Sequence, residues 1–213
     1  MAPQGPAILR ATFQGPSARG FWRWKGTDLA STASTATHEL TYDRFTILLH
    51  WLTAFLVVTL WALGQSIGFF PEGPFRKGLL GVHILLGITV GAVVLVRIGW
   101  RLSRGRRLPS ADQGALEWVA KGAHLGLYLL LVLTVAFGVG RAWVHGVEVF
   151  HWFTFPRPAF ATRAVTRTVS EVHGDLGDII VIVAGLHAAA ALFHHYGLRD
   201  SVLRRMLPGK RRD

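Results

Sequence analysis

The chain has 213 residues, 51% hydrophobic and 16% charged, with no cysteine and a formal net charge of +11. So little charge, placed around long apolar runs, excludes an ordinary soluble domain. The missing cysteine excludes disulfides, iron–sulfur clusters and thiolate metal sites, so any metal must rest on the ten histidines or on Asp, Glu, Met or Tyr. The positive balance lies beside apolar spans, which fits anionic lipid and argues against nucleic acid as a partner.

Residues 1–40 are rich in Gly, Pro, Ser, Thr and Ala, and their apolar run is too short for a signal-peptide core. They are expected to form a disordered N-terminal extension. Four apolar spans follow at roughly 45–66, 79–100, 124–145 and 176–196, each near the ~20 residues that cross a bilayer. Lipid offers the backbone no hydrogen bonds, so the spans must be helical, and their short connections predict an all-α, up-down four-helix membrane bundle over residues 41–208. Residues 209–213 are a basic tail. Of the 23 Lys and Arg, seventeen lie before span one, between spans two and three, or after span four. The other six lie in the two remaining connections, so both termini are expected on the cytoplasmic side.

The histidines carry the chemistry. His173 and His187 are fourteen residues apart, which in a helix is a rise of about 21 Å and a return to within roughly 40° of the same azimuth. One helix thus presents two imidazoles at two depths, His173 at the outer face and His187 in the inner half. His50 in span one is level with His187, and His83 in span two is level with His173. Two facing imidazoles in a helix bundle suit haem iron with two axial histidines. The flat macrocycle needs small neighbours, and Gly81, Gly87, Gly91, Gly185 and Ala188–Ala191 supply them, although small residues also serve plain helix packing. A bare ion such as zinc is the competitor and would want three or four ligands at one depth. The carboxylates near His173 are Asp175 and Asp178, which read instead as acids in the first turn of span four, complementing its dipole.

Other residues carry open readings. His194, seven residues after His187 and beside His195 and Tyr196, either binds a quinone headgroup and carries its proton or snorkels to the interface. His124 is a weaker quinone candidate. His145 and His151 read as solvated loop residues, and His38 belongs to the extension. Arg97 either pairs with a haem propionate or anchors its helix on the positive side. Trp51, Trp61, Trp100 and Trp143 fit an aromatic belt.

The blocks YDRFTILLHWL, VHILLGI, LVRIGWRL, AHLGLYLLL, VHGDLGDIIVIVAGLHAAAALFHHY and RDSVLRRMLP, in this order, resemble the bacterial cytochrome b561 family, above all its superoxide oxidase type. The resemblance implies four transmembrane helices in the bacterial inner membrane and two haem b groups (iron protoporphyrin IX). Their ligands fall on His50, His83, His173 and His187, in the pairs His50–His187 and His83–His173. It also implies a ubiquinone site near the inner haem, which brings in His194. The activity implied is that of a superoxide:ubiquinone oxidoreductase, in which periplasmic superoxide is oxidised to oxygen and the electrons pass through two haems to ubiquinone. Arg76, Lys77, Arg157, Arg163 and Arg167 could steer the superoxide anion, opposed by Glu72, Glu148 and Glu171. The alternative is a quinone-linked electron-carrier subunit serving a partner oxidoreductase, with a periplasmic redox protein docking on the third connection. A metal-ion transporter built from intramembrane histidines is the third class.

Overall fold

The computed structural model describes residues 41–106, 108–109 and 114–207. The expected extension 1–40 and tail 209–213 lie outside the described residues. Four helices dominate: α1 (Arg44–Ile67), α2 (Pro74–Ser103), α3 (Ala115–His145) and α4 (Arg163–Tyr196). All four are long and apolar enough to cross a membrane, as the sequence predicts. Between α3 and α4 a short antiparallel ribbon pairs β1 (Glu148–Val149) with β2 (Phe153–Thr154). A 3₁₀ turn at Leu203–Met206 closes the described chain.

The helices are longer than their apolar cores. α3 starts nine residues before the expected span and α4 thirteen. The added turns are polar: Thr162 caps α4 by accepting from the Val165 amide at 3.3 Å, and Arg167 pairs with Glu171 at 2.7 Å one turn on. Hydropathy does not register such turns, because caps and i,i+4 ion pairs hold a helix without apolar residues. Two expectations fall as a result. Asp175 and Asp178 are twelve and fifteen residues into α4, so they do not complement its N-terminal dipole. His173 lies ten residues inside the helix, not at its outer edge.

α1 begins at Asp43, whose carboxylate accepts from the Thr46 amide (2.8 Å) and hydroxyl (2.6 Å), the Trp100 indole (3.1 Å) and the Arg106 amide (3.3 Å). One side chain thus caps α1 and ties it to the far end of α2. Burial pushes this carboxyl up, but the hydrogen bonds outweigh it and hold the group below its usual 3.8. A depressed folded-state value stabilises the protein above the ordinary carboxylate range and is lost as pH falls through the folded value. Asp43→Ala should cost about 1–2 kcal/mol. In thermal unfolding, the gap between wild type and variant should close on acidification.

The helices pack as an antiparallel ring, α1 on α2, α2 on α3, α3 on α4 and α4 on α1. At its centre Leu56, Val90, Val94, Leu131 and Ile180 form a buried cluster with a member from every helix. Each lies between the inner and outer histidine levels of its helix, so an apolar plug separates the two. Large side chains such as Phe55, Leu95, Ile182 and Leu186 point outward, where lipid would cover them.

At one end the ribbon folds over the bundle. Phe150 has φ 48° and lies so close to Gly81 that a Cβ there would meet its ring at 2.8 Å. At the other end the Trp51 indole donates to the Met206 carbonyl (2.8 Å), the Tyr42 backbone amide to that of Arg205 (3.1 Å) and the Arg205 guanidinium to that of Pro109 (2.8 Å). Trp100 on Asp43 and Trp61 on Asp178 (2.8 Å) add two more such contacts. Three of the four indoles named from sequence make specific cross-element hydrogen bonds.

Candidate functional site

At one level His83 of α2 faces His173 of α4, ring centroids 6.1 Å apart and planes at 90°. The two lie nine and ten residues from their helix starts, which the antiparallel ring brings to the same depth. His173 Nδ1 donates to the Thr134 carbonyl of α3 at 3.1 Å, which leaves its Nε2 as the ring's lone-pair donor. His83 Nδ1 is buried without a well-formed hydrogen bond, the Leu60 carbonyl lying nearby. Both rings are held by glycines: a Cβ on Gly64 would meet His83 at 3.3 Å, and one on Gly138 would meet His173 at 2.9 Å. The pair lines a cavity of about 660 Å³, in the size range of cofactor sites. Gly87, Gly174 and Gly177 also line it, and a Cβ on any of them would meet nothing. Arg76, Lys77, Arg141 and His145 bring positive or titratable groups to the same cavity.

At the second level His50 of α1 faces His187 of α4, centroids 6.4 Å apart and planes at 73°. His124 of α3 lies 5.3 Å from His187 and is anchored by its Nδ1 on the Ala120 carbonyl at 2.6 Å. Arg97 of α2 reaches His50 Nδ1 at 3.0 Å and lies over the Tyr128 ring, 5.3 Å from its centroid. A guanidinium only donates, so Nδ1 of His50 accepts, the reverse of His173.

The two separations fit a metal held between imidazoles. A metal–nitrogen bond of about 2 Å, with roughly 1 Å more from that nitrogen to the ring centre, places two facing rings about 6 Å apart. Among the described residues no group of three His, Asp or Glu side chains gathers as a bare ion would require. Asp178, which of the two carboxylates raised as zinc ligands is the one that lines the cavity, is occupied by Trp61 and by Gln65 Nε2 at 2.9 Å.

The remaining residues fall as follows. His194 Nδ1 donates to Asp200 at 2.5 Å, just beyond the end of α4. Slight burial pushes the Asp200 carboxyl up, but this bond and the Val202 amide hold it below the usual range. His151 is exposed and pairs with Glu148 at 2.6 Å, as a loop residue would. His145 is exposed, as expected, but it is the last residue of α3 rather than a loop residue, lines the cavity and meets Ser170 Oγ at 3.0 Å. Arg141, Ser170, Thr134 and Gly138 were not singled out from sequence, because nothing in their local pattern distinguishes them from helix filler. The signal in hindsight is Arg141, a cation four residues inside the end of a membrane helix.

The family model for prokaryotic cytochrome b561 matches residues 41–209. Cytochrome b562 of Cereibacter sphaeroides is 30% identical over 182 residues, covering 80% of this chain and 98% of its own. Probable superoxide oxidase CybB of Yersinia pestis is 29% identical over 179 residues, 80% of this chain and 97% of its own. Cytochrome b561 homolog 1 of Escherichia coli (strain K12) is 27% identical over 180 residues, 80% and 98% respectively. Fold, histidines and likenesses together define a membrane electron-transfer cytochrome of the b type, with haem as its cofactor. The chain belongs to the prokaryotic cytochrome b561 family.

Proposed function

We propose that this chain is a superoxide:ubiquinone oxidoreductase of the bacterial inner membrane. One haem b is held by His83 and His173 and a second by His50 and His187, with the outer pair on the periplasmic side and both termini cytoplasmic. Two superoxide anions each give up one electron and leave as oxygen; ubiquinone takes both electrons and two protons from the cytoplasmic side to become ubiquinol. Haem held by these histidine pairs would supply one-electron transfer. The residues supply the rest. The apolar plug around Ile180 keeps water out between the levels. Thr134 sets the His173 tautomer. A neutral His50 that accepts at Nδ1 carries its proton on Nε2, so iron at that atom requires the Arg97 contact to give way. Arg97 is then the residue to meet a propionate, since neither a ring nitrogen nor an aromatic face neutralises it. His194, with Asp200 behind its Nδ1, is the candidate to hydrogen-bond the quinone headgroup.

The observation that carries this reading is the pair of facing-histidine levels, the outer one opening on a cavity whose lining sets Arg76, Lys77 and Arg141 against Glu72 and Asp178. The likeness to a relative named as a probable superoxide oxidase supports the substrate. The test is to purify the chain, count haem, and mix it with superoxide and ubiquinone while following haem reduction and quinol formation. Two haems per chain and superoxide-driven quinol are expected. Because superoxide is an anion, its rate should fall roughly twofold or more as ionic strength rises from a few millimolar to physiological values. Quinol-reducible haem that ignores superoxide and co-purifies with a stoichiometric partner would select the electron-carrier reading instead. The generic cytochrome names of the other two relatives and the exposed Trp152 and Phe153 of the third connection favour that second reading.

A further inference from the structure

Arg141 lies in the last turn and a half of α3, half-buried and lining the outer cavity. Its Nε donates to Ser170 Oγ at 3.2 Å. That hydroxyl gives its own proton to the Thr166 carbonyl at 2.8 Å and meets His145 Nε2 at 3.0 Å. Ser170 is therefore fully engaged and fixes one edge of the guanidinium. A guanidinium has five N–H donors; the four on the terminal nitrogens of Arg141 make no hydrogen bond among the described residues, and no carboxylate there is within ion-pair range. The other charges of the cavity are accounted for differently. Arg76 faces Glu72 at 3.8 Å, Asp178 accepts from Trp61 and Gln65, and Lys77 is exposed at the rim. The dipole of α3 compensates Arg141 only in part, because the terminal carbonyls of Ala142 and Trp143 already accept from Val147 and Gly146. A fork of free donors on a helix long and apolar enough to cross a membrane, in the wall of the cavity that His83 and His173 also line, matches an oxyanion.

We propose that Arg141, oriented by Ser170, is an oxyanion site in the outer cavity, and that its ligand is a propionate carboxylate of the haem held by His83 and His173. The proposal rests on the haem assignment above. The same chemistry would receive the superoxide anion, and the experiment separates the two sources.

The purified haem-loaded protein is compared with Arg141→Gln, Arg141→Lys and Ser170→Ala, with haem 13C-labelled at the propionate carboxyls. Two readouts are the redox-difference infrared band of the labelled carboxylates and a potentiometric titration of both haems, the inner one serving as internal control. In Arg141→Gln the band should move. The outer haem should become about tenfold harder to reduce relative to the inner, or about 59 mV for one electron, because a nearby positive charge favours the added electron. Arg141→Lys should recover most of the potential but not the band, since an ammonium lacks the fork. Ser170→Ala should shift the band less. Loss of the outer haem alone from Arg141→Gln also supports the anchor, and if that variant does not fold, the band in Arg141→Lys decides. An unmoved band and potential with a tenfold slower reaction with superoxide would identify the substrate as the oxyanion. No change in band, potential or superoxide rate overturns the site. Wild-type protein with fewer than two haems would instead overturn the reading beneath it.

Discussion

Replacing His83 or His173 by alanine should remove one of the two proposed haems and leave the other intact, and replacing His50 or His187 should remove that other one. The expectation follows from the two separations of 6.1 and 6.4 Å and from the apolar plug between them, which makes each level its own site. Haem content per chain should drop from two to one in every single variant, and His83→Ala combined with His50→Ala should leave none. The variants should differ in what survives. Without the outer haem, quinol should still reduce the remaining one while superoxide no longer does so. Without the inner haem, superoxide should still reduce the outer one but no quinol should form. Superoxide-driven quinone reduction should fall by roughly a hundredfold or more in all four, since weaker changes in the shell around a metal already cost 10–100-fold. Retention of both haems in any of them would refute the ligand set. His124 is the informative control: its ring lies 5.3 Å from His187, so a ligand set that included it would show in His124→Ala as haem loss, where the present assignment expects two haems.

Gly138→Ala should cost the proposed outer haem without replacing any ligand. A methyl group at this position would lie 2.9 Å from His173 Cε1 and 3.4 Å from Nδ1, too close for a ring that is also tied to Thr134, one turn earlier on the same helix. The imidazole must give up either its carbonyl or its direction, and a metal ligand displaced by about 1 Å loses most of its affinity. Two residues on, a Cβ at Gly140 would make an ordinary contact with Val169 at 4.0 Å, so Gly140→Ala should retain two haems. Spectral titration of both variants separates a local effect on His173 from a general weakening of the α3–α4 contact. Gly174→Leu adds a complementary result. Among the described residues nothing beyond its own stretch of helix stands within 4 Å of a Cβ there, so the protein should fold while the bound macrocycle is crowded out.

Much of the architecture was legible in the sequence because lipid removes alternatives. A run of twenty apolar residues must be helical, and four of them with short connections must return on one another. The fourteen-residue spacing of His173 and His187 likewise needs only helix geometry to become two levels. The helix ends were not legible. Hydropathy stops where the apolar residues stop, whereas Thr162 and the Arg167–Glu171 pair carry α4 further, so Asp178 reads as a dipole partner in the sequence and proves to be an acceptor for Trp61 and Gln65.

The chain by itself determined the class of fold and which histidines share a level. Those properties follow from periodicity along single helices and from the order of the spans. Only the tertiary structure decided what surrounds each ring: the Thr134 carbonyl on His173, Arg97 on His50, the plug between the levels, and Arg141, held by Ser170, in the cavity wall. These depend on how each helix is rotated about its axis against its neighbours. With lipid as apolar as leucine, no hydrophobic pattern sets that rotation; close packing at glycines and a few polar contacts do.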